Sequence, residues 1–349
     1  MRFPEITDPR SRLLLFGDER ATDEEEKWRP LWDAEPSNAA YFANYVGAYQ
    51  TTHGKVSDEL LEQAETIDPD NGWYLAFAAG SRLDDKLEKQ RRARSGAKAG
   101  DRTEYKVLDE AEYAAARDLF FRAAEKPGFG DHSRDLYRER LSHLPPAADV
   151  VSNLRNVAYA AGQESYAIQM IRVADMISHE ADRAVLADDE DAFRRTVMAW
   201  QWFVDGFNRT GATVVDGLVA KAILIAPLRN FRDAAEHFGM TEDGAFFDGL
   251  YARFEAERSA RQKRIVPDAD LLQARASLIT GLSAPMLGRQ VETPPPVGEA
   301  DVKPGRLADH ALAGRLFAGA VAFLLVLAAG LVVGIRFRHG MSGRKLSIQ

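Results

Sequence analysis

The sequence contains no cysteine. That excludes disulfides, zinc–thiolate sites, iron–sulfur clusters and a thiol nucleophile. It leaves the compartment open, because a chain without thiols is at home in either redox setting. An excess of positive charge is also missing: 53 acidic side chains face 45 basic ones, a net charge of -8. A chain-wide electrostatic footprint for nucleic acid is therefore not expected, and no nucleic-acid partner is assigned. Alternating strand patterns bounded by Asn-Gly or Asp-Gly turns are absent. So are a Gly-rich phosphate loop, a G-x-S-x-G elbow, a kinase signature and the H-E-x-x-H metal spacing. With these signatures lacking, the chain is read as a non-enzyme with no cofactor, no metal and no catalytic residues. What is present is ordinary globular material, 46% hydrophobic and 28% charged over 349 residues, enough for a substantial core.

A mean hydropathy of -0.32 conceals one segment. Residues 316–335, LFAGAVAFLLVLAAGLVVGI, carry no charge and no proline. Twenty residues of helix rise roughly 30 Å, the thickness of a bilayer core. We read 312–336 as a single transmembrane helix and 337–349 as a basic tail. Gly330 and Gly334 form a G-x-x-x-G pair that would let a second copy pack closely as a homodimer, although small residues are common in spans. Four Lys/Arg follow the span and three precede it, which leans toward a cytoplasmic tail. The N-terminus has only Leu13-Leu14-Leu15-Phe16 as an apolar run, too short for an export signal. The missing signal outweighs one charge, so the large N-terminal part is expected in the cytoplasm, anchored to the membrane through its C-terminal span. Residues 281–311, with Pro285, Pro294-Pro295-Pro296 and Pro304, read as an extended linker.

From 37 to 280 the pattern is helical. Phe193, Val197, Trp200, Val204 and Phe207 step by 4, 3, 4 and 3, one buried face of a helix over 191–209. Residues 212–228 are apolar almost all round and read as the enclosed central helix. Further helices are predicted at 57–66, 71–90, 107–125, 131–142, 147–162, 163–186, 231–238 and 242–263. Residues 1–36 read as a loosely ordered arm over 1–21, then a short helix from Glu24 with Thr22 as its cap and Pro30 as a kink. Asp188-Asp189-Glu190-Asp191 reads as a loop and the first turn of the 191–209 helix, and each histidine as satisfied or solvent-facing.

Glu35-Pro36-Ser37-Asn38 and Asp68-Pro69-Asp70-Asn71 lie 33 residues apart, each followed by an aromatic helix start. Proline stops one helix and Asn or Asp caps the next, the punctuation of a helix–turn–helix repeat. Leu61, Ala64 and Pro69, and then Ala116, Phe120, Ala123 and Pro127, supply small and bulky residues ahead of a proline. Over roughly 34–127 the chain resembles the tetratricopeptide (TPR) family, interrupted by a polar, basic stretch at 81–106. The resemblance implies an all-α, TPR-like α-α superhelix and a role as a protein-binding platform, its protein partner unnamed. The alternative is a membrane-tethered enzyme with a pocket in the helical array. Within the basic stretch, Lys86, Lys89, Arg91, Arg92, Arg94 and Lys98 are opposed only by Glu88. They are the candidate docking residues for anionic lipid or an acidic partner, against the plainer reading of a solvated helix end and loop.

Deleting residues 312–349 is expected to release the protein into the soluble fraction. Continued pelleting with membranes after that deletion would place the anchor elsewhere.

Overall fold

The computed structural model describes residues 3, 6–90, 103–148, 152, 155, 156, 159, 166–211, 214–263 and 315. The chain divides into two units, Met1–Pro145 with Ala158–Arg289, and Pro146–Val157 with Gln290–Gln349. Every element below belongs to the first. Of the second, only scattered residues are described, with 152, 155 and 156 helical. The linker and the apolar segment 316–335 lie outside the described residues. Among the described residues, no helix is long and apolar enough to cross a membrane.

The fold is all-α, and its helix ends follow local chemistry. Helix α1 (Pro9–Phe16) opens on an Asp8 cap whose carboxylate accepts the Ser11 amide at 2.8 Å, and closes at Gly17 with φ 67°. This corrects the expectation of an irregular arm: Leu14 and Leu15 are buried. Helix α2 (Glu24–Ala34) is capped by Asp23, not Thr22. Asp23 accepts the Glu26 amide at 2.8 Å, whereas Thr22 bonds the Glu26 side chain instead. Asn38 caps α3 (Ala39–His53) and Ser57 caps α4 (Asp58–Ile67). Then come α5 (Trp73–Arg82), α6 (Glu110–Ala124) and α7 (Ser133–Ser142). A 3-10 turn leads into α8 (Gln169–Ala187), followed by α9 (Glu190–Thr210), α10 (Val214–Ile225), α11 (Leu228–His237) and α12 (Thr241–Lys263). Successive helices pack in a repeat-like way: α2 on α3, α5 on α6, α8 on α9 and α11 on α12.

The helix predicted over 71–90 stops at Arg82. Asp85 takes a left-handed conformation at φ 55°, which an α-helix cannot continue through. The chain then forms a two-stranded antiparallel pair, β1 (Leu87–Gln90) with β2 (Glu104–Val107), placing Leu87 opposite Val107 and Lys89 opposite Tyr105. The pair lies on α8. There the buried Asp175 carboxylate takes the Lys89 ammonium at 2.8 Å and the Tyr105 hydroxyl at 3.1 Å.

The central helix is α8, not the 212–228 segment. Its Met170, Val173, Ala174, Ile177 and Ala181 are fully buried, and it packs on α5, α9, α10, α11 and both strands. By contrast α10 leaves Leu218 57% exposed. The predicted stripe of α9 holds, with Phe193, Trp200, Val204 and Phe207 buried. Trp200 donates to the Ile223 carbonyl at 3.3 Å.

Glycine sets the closest approach to α8. A Cβ on Gly80 of α5 would lie 2.4 Å from the Gln169 carbonyl oxygen, a backbone atom that cannot swing aside. Gly80→Ala is therefore expected to destabilise the fold by about 1–3 kcal/mol. An unchanged urea midpoint in the variant would refute the close contact.

Candidate functional site

The helix pairs leave a groove between α6 and the α8–α9 hairpin, with a volume of about 720 Å³. Its floor is short and apolar, built by Ala124 of α6, Ala184 and Ala187 of α8, and Ala192 and Ala199 of α9, with Phe121 and Trp202 at the sides. The α8–α9 turn is tight because Asp188 adopts φ 54° and Asp189 caps α9 by accepting the Ala192 amide at 2.8 Å. This bears out the reading of the acidic run as a loop and first turn. Met198, within the groove, is 68% exposed. Large apolar side chains held in water at a groove are a mark of a binding surface. Both signs of charge line it. Arg183 lies 3.3 Å from Glu180 and over the Tyr113 ring. Tyr113 donates to Glu180 at 2.6 Å. Burial, then the Glu180 carboxylate, pushes the Tyr113 phenol well above its usual value. Trp202 falls off the α9 stripe and faces the α6–α7 connection, donating to the Lys126 carbonyl at 2.9 Å.

A second feature lies where three connections meet. Asp68 ends α4, Pro69 follows, and Asn71 precedes α5. The main chain of this turn pairs with the α6–α7 connection: Gly72 N–H donates to the Gly128 carbonyl at 2.9 Å and Gly128 N–H to the Asp70 carbonyl at 2.8 Å. Asn71 extends the pairing, donating to the Gly130 carbonyl at 2.7 Å and accepting the Gly130 amide at 3.0 Å. His132 stands at φ 54° just before α7, with Nε2 2.7 Å from Asp68 Oδ2. Asp131 accepts from the Ser133 amide at 3.0 Å and from its hydroxyl at 2.8 Å. Arg134 reaches the end of α9, donating to the Gly211 carbonyl at 3.0 Å. A cavity of about 520 Å³ lies among these residues.

The electrostatics here are unusual for residues read as turn punctuation and a helix start. The hydrogen bond to Asp68 raises the His132 imidazole above its ordinary value, against the effect of burial. Burial opposes the Asp68 carboxylate, but hydrogen bonds from His132 and Asn71 outweigh it and hold its pKa low. Burial, together with the facing Asp216 carboxylate, pushes Asp131 up to about 6.

Of the candidate docking residues, Lys86 is half-buried, and its main chain bonds Leu83 and Leu108. Lys89, its side chain half exposed, sets its ammonium on the buried Asp175 carboxylate. Arg91, Arg92, Arg94 and Lys98 lie outside the described residues, as do Gly330 and Gly334. The histidines sit as predicted for satisfied groups. His53 pairs with Glu25 at 2.6 Å, His143 with Ser11 at 2.9 Å and His237 with Asp188 at 3.1 Å. His179 packs edge-on against Tyr105 and Tyr113, and burial lowers its pKa.

The groove left a trace in the sequence: Met198 and Ala199–Trp202 carry apolar bulk beyond what one stripe requires. The three-connection junction left only Asp68 and Asn71, which read as turn punctuation. Comparison with known proteins finds no matching family model, no matching curated protein and no matching solved structure.

Proposed function

We propose that this chain is a membrane-anchored, TPR-like helical-repeat protein whose array is a docking platform for a protein partner. The observation that carries the reading is the groove between α6 and the α8–α9 hairpin, with its alanine floor and exposed Met198. Short floor side chains let a partner's backbone approach closely, and the flanking apolar groups give it surface to bury. The TPR-like register is supported by the α5–α6 pair. Leu61, Ala64, Ala116, Phe120 and Ala123 are buried, and Pro69 and Pro127 stand just past the helix ends. Stacked helix pairs of this kind serve as recognition surfaces because each pair leaves one face for a ligand. In this reading residues 316–335 anchor the array in the bilayer, 281–311 space it from the surface, and the N-terminal part is cytoplasmic. The basic segment running from Lys86 to Lys98 then meets anionic headgroups.

One observation favours the membrane-tethered enzyme, the Asp68–His132 pair beside a cavity. A carboxylate that orients an imidazole is the arrangement of a general base. The hydroxyl that lines that cavity is engaged, however: Thr210 donates to the Gly206 carbonyl at 3.1 Å. The docking reading is therefore preferred.

Ala187 is an exposed groove residue, so Ala187→Trp is expected to fill the groove and leave the melting temperature unchanged. A partner captured by the intact protein from detergent extract should be lost by this variant. Retention of that partner rejects the groove as the docking face. Independently, charge reversal at Arg91, Arg92 and Arg94 is expected to weaken binding to anionic liposomes; an unaltered affinity rejects lipid docking.

A further inference from the structure

We propose that Asp68 and His132 form a clasp, which ties the α4–α5 turn to the α6–α7 connection and slackens as the pH rises. The two segments are far apart in sequence and meet through a short ladder: Gly72 to Gly128, Gly128 to Asp70, and the two bonds of the Asn71 side chain to Gly130. His132 and Asp68 close one end of that ladder at 2.7 Å. Asp131, next in chain, closes the start of α7.

The proton-linked groups pull in one direction. His132 holds its proton more tightly in the fold than in the unfolded chain. Its contribution is complete below the unfolded value of about 6.5 and is lost as the pH climbs through the folded value. Asp131 behaves alike, because its folded carboxyl keeps a proton up to about 6, whereas a free aspartate releases it near ~3.9. For Asp131 between about pH 4 and about pH 6, and for His132 above about pH 6.5, each proton lost is one that the folded chain holds more tightly than the unfolded one. Asp68 has a lowered pKa, so its own response falls below both ranges.

Other charged groups face these three. Asp216 of α10 faces Asp131, and Asp135 faces His132 while bonding Arg138 at 3.0 Å. Lys126 is held by Glu65 at 2.6 Å and by the Pro69 carbonyl at 2.8 Å. Arg134 is spent on Gly211, and Asp70 and Arg209 stand at the cavity rim. The Tyr74 phenol, raised by burial and by Asp68 and Asp131, is neutral throughout. The clasp also bears on the groove: Lys126, in the same connection, accepts the Trp202 indole, and Phe129 lies edge-on to that ring at 5.3 Å. The clasp itself does not rest on the docking reading.

The test is hydrogen exchange on the full-length chain in detergent, corrected for intrinsic rates, at about pH 6 and about pH 8. Protection of segments containing Gly72, Gly128 and Gly130 is expected to fall several-fold at the higher pH, while the interior of α9 does not change. His132→Asn, chosen because Asn tolerates φ > 0, should remove most of that fall. Protection independent of pH in the unmodified chain, or a fall that persists undiminished in His132→Asn, overturns the clasp. Should His132→Asn not fold, an NMR titration of His132 in the unmodified chain decides. A midpoint above about 6.5 supports the clasp, and one at or below it overturns it.

Discussion

The whole array depends on burying α8. A helix pair in a repeat has more apolar surface than it can cover by itself, so stacked pairs are stable only where a neighbour completes the burial. Here α8 is that neighbour for α5, α9, α10 and α11 at once. Its contact residues include the small Ala174 and Ala181 as well as Met170, Val173 and Ile177, all fully buried. Gly80 brings α5 within van der Waals reach of the Gln169 carbonyl. Full burial of a medium-sized apolar side chain is worth about 1.5–3 kcal/mol, so the set of them on one helix weighs heavily against a marginal net stability.

Surrounding one helix on nearly every side creates a polar problem, and the β-hairpin is part of the solution. Asp175 and Ser178 fall on buried positions of α8. Ser178 is satisfied locally, donating to the Ala174 carbonyl at 2.8 Å. A carboxylate has no such local option, because a helix interior offers it no free donor. Lys89 and Tyr105, opposite each other on the two strands, supply the donors. Further along, Asn230 of α11 bridges the Thr103 carbonyl at 2.9 Å and Asp182 at 3.1 Å. The polar insertion between α5 and α6 thus works as a cover for the charged side of α8. The lysine that looked like a surface charge has a structural duty.

What could be read from the residues alone was what local chemistry determines. The α9 stripe spans enough turns for its period to be unambiguous, and Asn38 and the acidic run at 188–191 announce helix starts whatever packs around them. Short elements fare worse. Helix α1 carries Asp8, Pro9 and Gly17 as start and stop signals, yet its two turns are too brief for a periodicity to register. The strands have four residues each, and Leu87 finds its partner Val107 only across the intervening basic segment. The choice of central helix failed for a different reason. Apolar content all round a helix reports capacity for burial, not the number of neighbours present, and Leu218 remains in water while the less apolar α8 is enclosed.

The junction at Asp68 and Asn71 carries this further. In a single repeat, Asp-Pro-Asp-Asn is punctuation: it ends one helix and begins the next. Asn71 still performs that local task, accepting the Trp73 amide at 3.0 Å. Its amide group, however, and the Asp68 carboxylate are free to act at long range, and both turn to the α6–α7 connection. A side chain selected by a turn has its polar atoms held on a fixed backbone, which is the preorganisation that a titrating contact needs. The second half of the contact is His132, whose left-handed backbone no helix or strand demands. Strain of that kind persists only where surrounding interactions hold it, and here those interactions are the ladder to Gly128 and Gly130 and the Asp68 carboxylate. Turn punctuation and long-range contact are therefore the same residues, distinguished only by which segment folds back upon them.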